Sequence, residues 1–124
     1  MCERLELDRR DQRYRAGRRL SPVRGHVVIV IDDGLATGST MQAAVIALRQ
    51  LEPSRIVVAV PVGARDTCTR LNRLADEVVC LEMPAPFQAV GLWYETFDQT
   101  TDEEVRRLLG VRGAERASEL RTAL

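Results

Sequence analysis

Asp32 and Asp33 stand side by side where five apolar residues, Val27 to Ile31, give way to the run Gly34-Leu35-Ala36-Thr37-Gly38-Ser39-Thr40. Ionised carboxylates are acceptor-only groups that form strong charge-assisted hydrogen bonds to hydroxyl donors. Adjacent residues leaving a strand project to opposite sides, so this pair is poorly placed to chelate one point charge. It suits two neighbouring hydroxyls better, such as the vicinal diol of a ribose. Gly34 and Gly38 open backbone conformations closed to other residues, and Ala36 is too small to obstruct a ligand. Thr37, Gly38, Ser39 and Thr40 then offer consecutive backbone N–H groups and three hydroxyls at the start of a helix. Such a turn is an anion cradle, because the helix N-terminus has unpaired donors and the positive end of a dipole. A diol grip and a phosphate cradle a few residues apart match one compact ligand, a ribose 5-phosphate moiety.

Other phosphate motifs fit less well. A P-loop needs GxxxxGK[ST]; here the glycines are one residue too close and the chain has no lysine. A dinucleotide fingerprint places GxGxxG before its acidic residue, whereas here the acids come first. An ordinary strand-to-helix turn with an Asp-Gly corner accounts for Gly34, but not for the second aspartate or the Gly-Ser-Thr run. Carboxylates at the edge of a buried strand are costly unless they have partners.

The elements that must position these residues follow from hydrophobic period. Val27 to Ile31, Ile56 to Val60 and Val78 to Leu81 are short, β-branched and apolar at every position, the pattern of central parallel strands covered on both faces. Between them, Met41, Ala44, Val45, Leu48 and Leu51 mark one face of a helix closed by Pro53, and Cys68, Leu71 and Ala75 mark a second. Strand, helix, strand, helix, strand is a βαβαβ unit of the α/β class, with right-handed crossovers and parallel neighbours. Ligands of such sheets sit outside the carboxyl ends of the strands, which is where Asp32 to Thr40 fall.

Around this unit, residues 1–25 read as a charged helix with a thin apolar stripe (Leu5, Leu7, Tyr14) and a linker containing Pro22 and Gly25. The partial α/β domain spans 26–110 and a helical tail 111–124. Near the domain's end, Thr101 and Glu104 form a capping box for the helix TDEEVRRLLG, which Gly110 closes. Phe87, Trp93, Tyr94 and Phe97 cluster in an irregular segment, where they either stack on a base as a lid or pack the flank of the sheet. Arg65 either meets a phosphate or opens a solvated helix.

The 124-residue chain suffices for one small domain, and its 45% apolar content predicts a packed core. Zero net charge argues against a nucleic-acid or membrane partner held by charge. All eighteen basic residues are arginine, which excludes Schiff-base and other lysine chemistry. With no membrane span or leader, and with Cys2, Cys68 and Cys80 odd in number and widely spaced, the expected setting is the reducing cytoplasm. Cys68 and Cys80 read as small buried hydrophobes. His26 alone makes no imidazole metal site and reads as structural or surface.

VVIVIDDGLATGST resembles the phosphoribosyl-pyrophosphate (PRPP) motif of the type I phosphoribosyltransferases, and VGLWYETFDQTTDEEV is similar to a segment of a group of bacterial members. The resemblance implies a Rossmann-like phosphoribosyltransferase core with Asp32 and Asp33 as catalytic residues on the ribose hydroxyls. It implies that Ala36, Thr37, Gly38, Ser39 and Thr40 bind the 5-phosphate, and that Mg²⁺ rides on the substrate with no metal ligands of its own. The implied activity is pentosyl transfer between PRPP and a nitrogenous base in nucleotide metabolism or salvage. In members acting on 6-oxopurines an aspartate occupies the position of Ala36, so no hypoxanthine or guanine substrate is implied. Only about twenty-five residues precede the motif strand, too few for a strand, its pyrophosphate loop and a crossover. The expectation is therefore the C-terminal half of the family's domain, its N-terminal part missing, with self-association or a partner chain at the open sheet edge. The alternative is a non-catalytic PRPP- or nucleotide-binding subunit, or a truncated inactive member.

Overall fold

The computed structural model describes residues 22–110, and the expected helices at 1–19 and 111–124 lie outside that range. The described residues fall into two units, 22–97 and 98–110.

In the first unit the elements run β1 (Val27–Ile31), α1 (Ser39–Gln50), β2 (Arg55–Val62), α2 (Arg65–Leu71), β3 (Glu77–Glu82) and a 3₁₀ turn at Val90–Trp93. The sheet order is β1-β2-β3 and both pairings are parallel, with Val28 opposite Ile56, Val30 opposite Val58 and Val60 opposite Cys80. This is the expected βαβαβ unit, in which parallel neighbours require a crossover helix between successive strands.

One face of the sheet carries the core. Ile56, Val58 and Val60 of β2 pack with Met41 and Val45 of α1, with Cys68 and Leu71 of α2, and with Leu35 and Ala75. Val45, Ile56, Val58 and Leu71 are the largest fully buried side chains, and each contributes about 1.5–3 kcal/mol relative to exposure. Burial pushes the Cys68 thiol up to about 11, with the adjacent Cys80 adding to it, so Cys68 stays a protonated packing group. The stripes depart from expectation at two places: Leu51 is exposed just past the end of α1 at Gln50, and Ala75, though buried, lies beyond α2, which ends at Leu71. Arg49 in its last turn donates to the Leu74 carbonyl at 3.0 Å and pairs with Asp76 at 2.9 Å, tying α1 to the turn before β3.

The opposite face differs from the expectation of strands covered on both sides. Among the described residues Val27, Ile29 and Ile31 of β1 and Leu81 of β3 are exposed, Ile31 to 76% and Leu81 to 73%. Among the described residues only β2 is central, and β1 and β3 are each paired on one side in the sheet. An all-apolar strand therefore marks what a face can bury, and the element that buries it has to be supplied separately.

In the second unit, residues 102–110 are helical. The capping box is formed: the Thr101 N–H donates to Glu104 Oε2 at 3.0 Å, and the Glu104 N–H donates to Thr101 Oγ1 at 3.2 Å. The Thr101 N–H first, then the Thr101 hydroxyl donating to Glu104 Oε2 at 3.2 Å, hold the Glu104 carboxyl below its usual range.

Candidate functional site

The motif loop is pinned to the sheet at both ends. The Asp32 N–H points to the Ala59 carbonyl at 3.4 Å, where β1 leaves β2. Three residues on, the Leu35 N–H donates to the Val62 carbonyl at 3.0 Å, and the Leu35 carbonyl accepts from the Ala64 N–H at 2.8 Å. The acidic pair thus occupies a short excursion over the carboxyl end of the sheet, and α1 starts four residues beyond the second anchor. The two glycines serve different needs. A Cβ on Gly34 would lie 2.7 and 2.9 Å from the Val90 methyls, so this position requires close approach. Gly38 is the N-cap of α1 at φ +74°, a left-handed conformation that L side chains rarely adopt.

Asp32, residues 34–41 and Val90 line one pocket. No side chain caps α1 and no acidic residue fills its first turn, so the positive end of its dipole is uncompensated there. Of the residues that the sequence singles out, Asp32 and Ala36, Thr37, Gly38, Ser39 and Thr40 come together in that lining. Asp33 is exposed beside it; its N–H donates to Asp32 Oδ1 at 2.8 Å. Partial desolvation, then repulsion from the Asp32 carboxylate, raises the Asp33 carboxyl above its ordinary value. Tyr94 donates its hydroxyl to the Asp33 backbone carbonyl. Desolvation first, then the charges of Asp33 and Asp32, raises Tyr94 further, which keeps the phenol protonated as a donor.

Several residues around the loop gave no sequence signal. Val90, in the 3₁₀ turn, walls the pocket. Thr67 is a buried polar residue whose hydroxyl donates to the Ala36 carbonyl at 2.5 Å, and Arg70 donates to the Thr37 carbonyl at 2.8 Å. Each partner lies more than thirty positions away in sequence, beyond any local pattern. Arg65 is exposed at the first turn of α2, and it is Arg70, later in that helix, that reaches the loop. The aromatic segment packs on itself: Phe87 and Trp93 stack with ring centroids 6.4 Å apart, and Tyr94 meets Phe97 at 5.2 Å. His26 is exposed, with Nδ1 2.9 Å from the Arg24 carbonyl oxygen.

Comparison with known proteins bears on this arrangement directly. Residues 5–95 match the phosphoribosyl transferase domain. The chain belongs to that family. The phosphoribosyl transferase domain here is 46% identical over 101 residues to proteins of two Mycobacterium tuberculosis strains, CDC 1551 and H37Rv, each named "putative phosphoribosyl transferase". That match takes in 82% of this chain and 23% of each relative. The crystal structure of TT1426 from Thermus thermophilus superposes with a TM-score of 0.77 at 43% identity, over 86% of this chain and 50% of that one. The three parallel strands with their helices are thus the α/β core of a phosphoribosyl transferase fold, and this chain spans about half of the solved relative. Among the described residues no helix is long and apolar enough to cross a membrane, and no group of three or more His, Cys, Asp and Glu is arranged to hold a metal.

Proposed function

We propose that the pocket binds the 5-phosphoribosyl moiety of PRPP, and that the protein transfers this group to or from a nitrogenous base. The observation that carries the reading is a shared lining: Asp32 and the glycine-hinged start of α1 border a single pocket of about 160 Å³. An apolar cavity of about 150 Å³ is known to take up benzene, so a five-membered sugar ring is within range. In this reading Asp32 and Asp33 accept from the ribose hydroxyls, and the N–H and hydroxyl groups of residues 36–40 hold the 5-phosphate. The base nitrogen forms a bond to the anomeric carbon while the carbon–oxygen bond to pyrophosphate breaks, and the leaving group takes the electron pair. Positive charge grows on the ring, and carboxylates fixed beneath it stabilise that charge. Anchoring the remote phosphate converts its binding energy into orientation.

Mg²⁺ belongs to the same reading as a substrate-borne ion. The described acids near the pocket are the adjacent Asp32 and Asp33, with no third ligand grouped beside them. Mg²⁺ keeps several waters and binds substrate phosphates readily, so it can ride on the substrate with no ligand from the protein. When bound with PRPP it supplies charge neutralisation on the pyrophosphate. A cytoplasmic setting and an association of the open β1 edge with a second chain complete the proposal.

Calorimetry with ribose 5-phosphate and PRPP in the presence of Mg²⁺ tests it. Ribose 5-phosphate should bind, and Asp32→Asn should weaken it by about tenfold or more, the value of a hydrogen bond to a charged group. Pyrophosphate release with a panel of bases would establish transfer. No binding of ribose 5-phosphate, or equal binding by the Asp32→Asn and Asp33→Asn variants, would refute the assignment. Equal affinities for the two ligands would assign this chain to binding without a pyrophosphate subsite.

A further inference from the structure

We infer that Thr67 and Arg70 of α2 are positioning residues that aim the loop's backbone amides into the pocket and so set its affinity for a phosphate monoester. The inference rests on the reading of residues 36–40 as a phosphate loop. It starts from two consecutive carbonyls held from behind: Ala36 by the Thr67 hydroxyl at 2.5 Å and Thr37 by Arg70 at 2.8 Å. Across a trans peptide unit, the carbonyl of one residue and the N–H of the next point in opposite directions. Fixing the Ala36 oxygen on α2 therefore turns the Thr37 N–H away from α2, and fixing the Thr37 oxygen does the same for the Gly38 N–H. Thr37 and Gly38 line the pocket, whereas Thr67 and Arg70 do not. The amides are thus presented on the ligand side and their carbonyl anchors on the far side.

The two anchors act together. Arg70 also donates to Thr67 Oγ1 at 3.3 Å, which leaves the threonine proton to the Ala36 carbonyl. Thr67 is buried at 3% exposure, so its hydroxyl has no competing water, and the arginine brings positive charge behind an anion site. Thr67 also lies directly behind Gly38: a Cβ there would fall inside 3.0 Å of Thr67 Cγ2. The role of Thr67 and Arg70 is visible only once α2 is folded against the loop.

The test uses the full chain and ribose 5-phosphate, followed by calorimetry and by the amide ¹H–¹⁵N signals of Thr37 and Gly38. Thr67→Val keeps the volume and removes the donor; about tenfold weaker binding is expected from one buried hydrogen bond, with Thr67→Ser restoring affinity to within about twofold. Arg70→Met, at an exposed position, should weaken binding by about three- to tenfold, and Arg70→Lys should recover part of the loss. In both weakened variants the Thr37 and Gly38 signals should shift less on titration, whatever the thermal midpoint loses to the unpaired carbonyl. A merely structural role would lower the midpoint and leave those signals responding as before. If the parent binds and Thr67→Val and Arg70→Met bind equally well, the inference is overturned and the phosphate reading stands. If the parent does not bind, both fail together.

Discussion

Gly38→Ala is the substitution whose cost can be worked most fully from this geometry. Gly25 and Gly38 have nearly the same backbone, at φ +73° and +74°, but different surroundings. At Gly25 an added Cβ meets nothing within 4 Å, while at Gly38 it falls inside 3.0 Å of Thr67 Cγ2. The left-handed conformation costs a residue bearing a Cβ about 1–2 kcal/mol. Reduced freedom of the unfolded chain offsets about 0.4–1 kcal/mol of that. Gly25→Ala should therefore destabilise by no more than about 1.6 kcal/mol. Gly38→Ala must also displace a buried side chain, and overpacking adds about 1–3 kcal/mol, giving a net loss of about 1–5 kcal/mol centred near 3 kcal/mol. The structure names the atom responsible. Thr67→Ser deletes Cγ2 and keeps the hydroxyl on Ala36, and the next contacts, Leu71 Cδ1 at 3.7 Å and Thr67 Cβ at 3.8 Å, are ordinary. Gly38→Ala combined with Thr67→Ser should recover about 1–2 kcal/mol, within the range of coupling between touching residues. Urea unfolding followed by circular dichroism, with an unchanged m-value, measures the parent, the three single variants and the double variant. Equal losses for Gly25→Ala and Gly38→Ala, or no coupling between positions 38 and 67, would refute the reasoning.

Two other predictions concern the fold. Asp76 Oδ2 accepts from the Ile56 N–H at 2.7 Å, and this bond first, then Arg49, holds its carboxyl below the ordinary value. Its stabilisation is thus present above the unfolded pKa of about 3.9 and is lost as pH falls through the lower folded value. Asp76→Asn should lower the thermal midpoint at pH 7 and flatten its decline below about pH 4; parallel pH profiles would contradict this. As a hypothesis, the exposed Val27, Ile29 and Ile31 of the edge strand β1 drive association of the isolated chain. Light scattering should show mass rising with concentration and Ile29→Lys suppressing it, whereas a monodisperse monomer throughout would rule it out.

Local period and composition were sufficient for the strands, the two crossover helices and the placement of Asp32 to Thr40 at the carboxyl end of the sheet. Each depends on residues close in the chain: β-branched runs, an apolar stripe at 3.6-residue spacing, glycines flanking small polar residues. The capping box at Thr101 and Glu104 was legible for the same reason. Tertiary structure alone decided what lies against those elements. It left one sheet face open among the described residues, although the strand sequences are apolar on both. It put Asp32 in the pocket wall with Asp33 beside it, brought Val90 against Gly34, and set Thr67 and Arg70 behind the loop. Those contacts join residues some thirty to sixty positions apart, and they arise when α2 and the segment after β3 pack around the carboxyl end of β1. A sequence encodes which faces are apolar and where the chain turns; which surface then meets which is a property of packing in three dimensions.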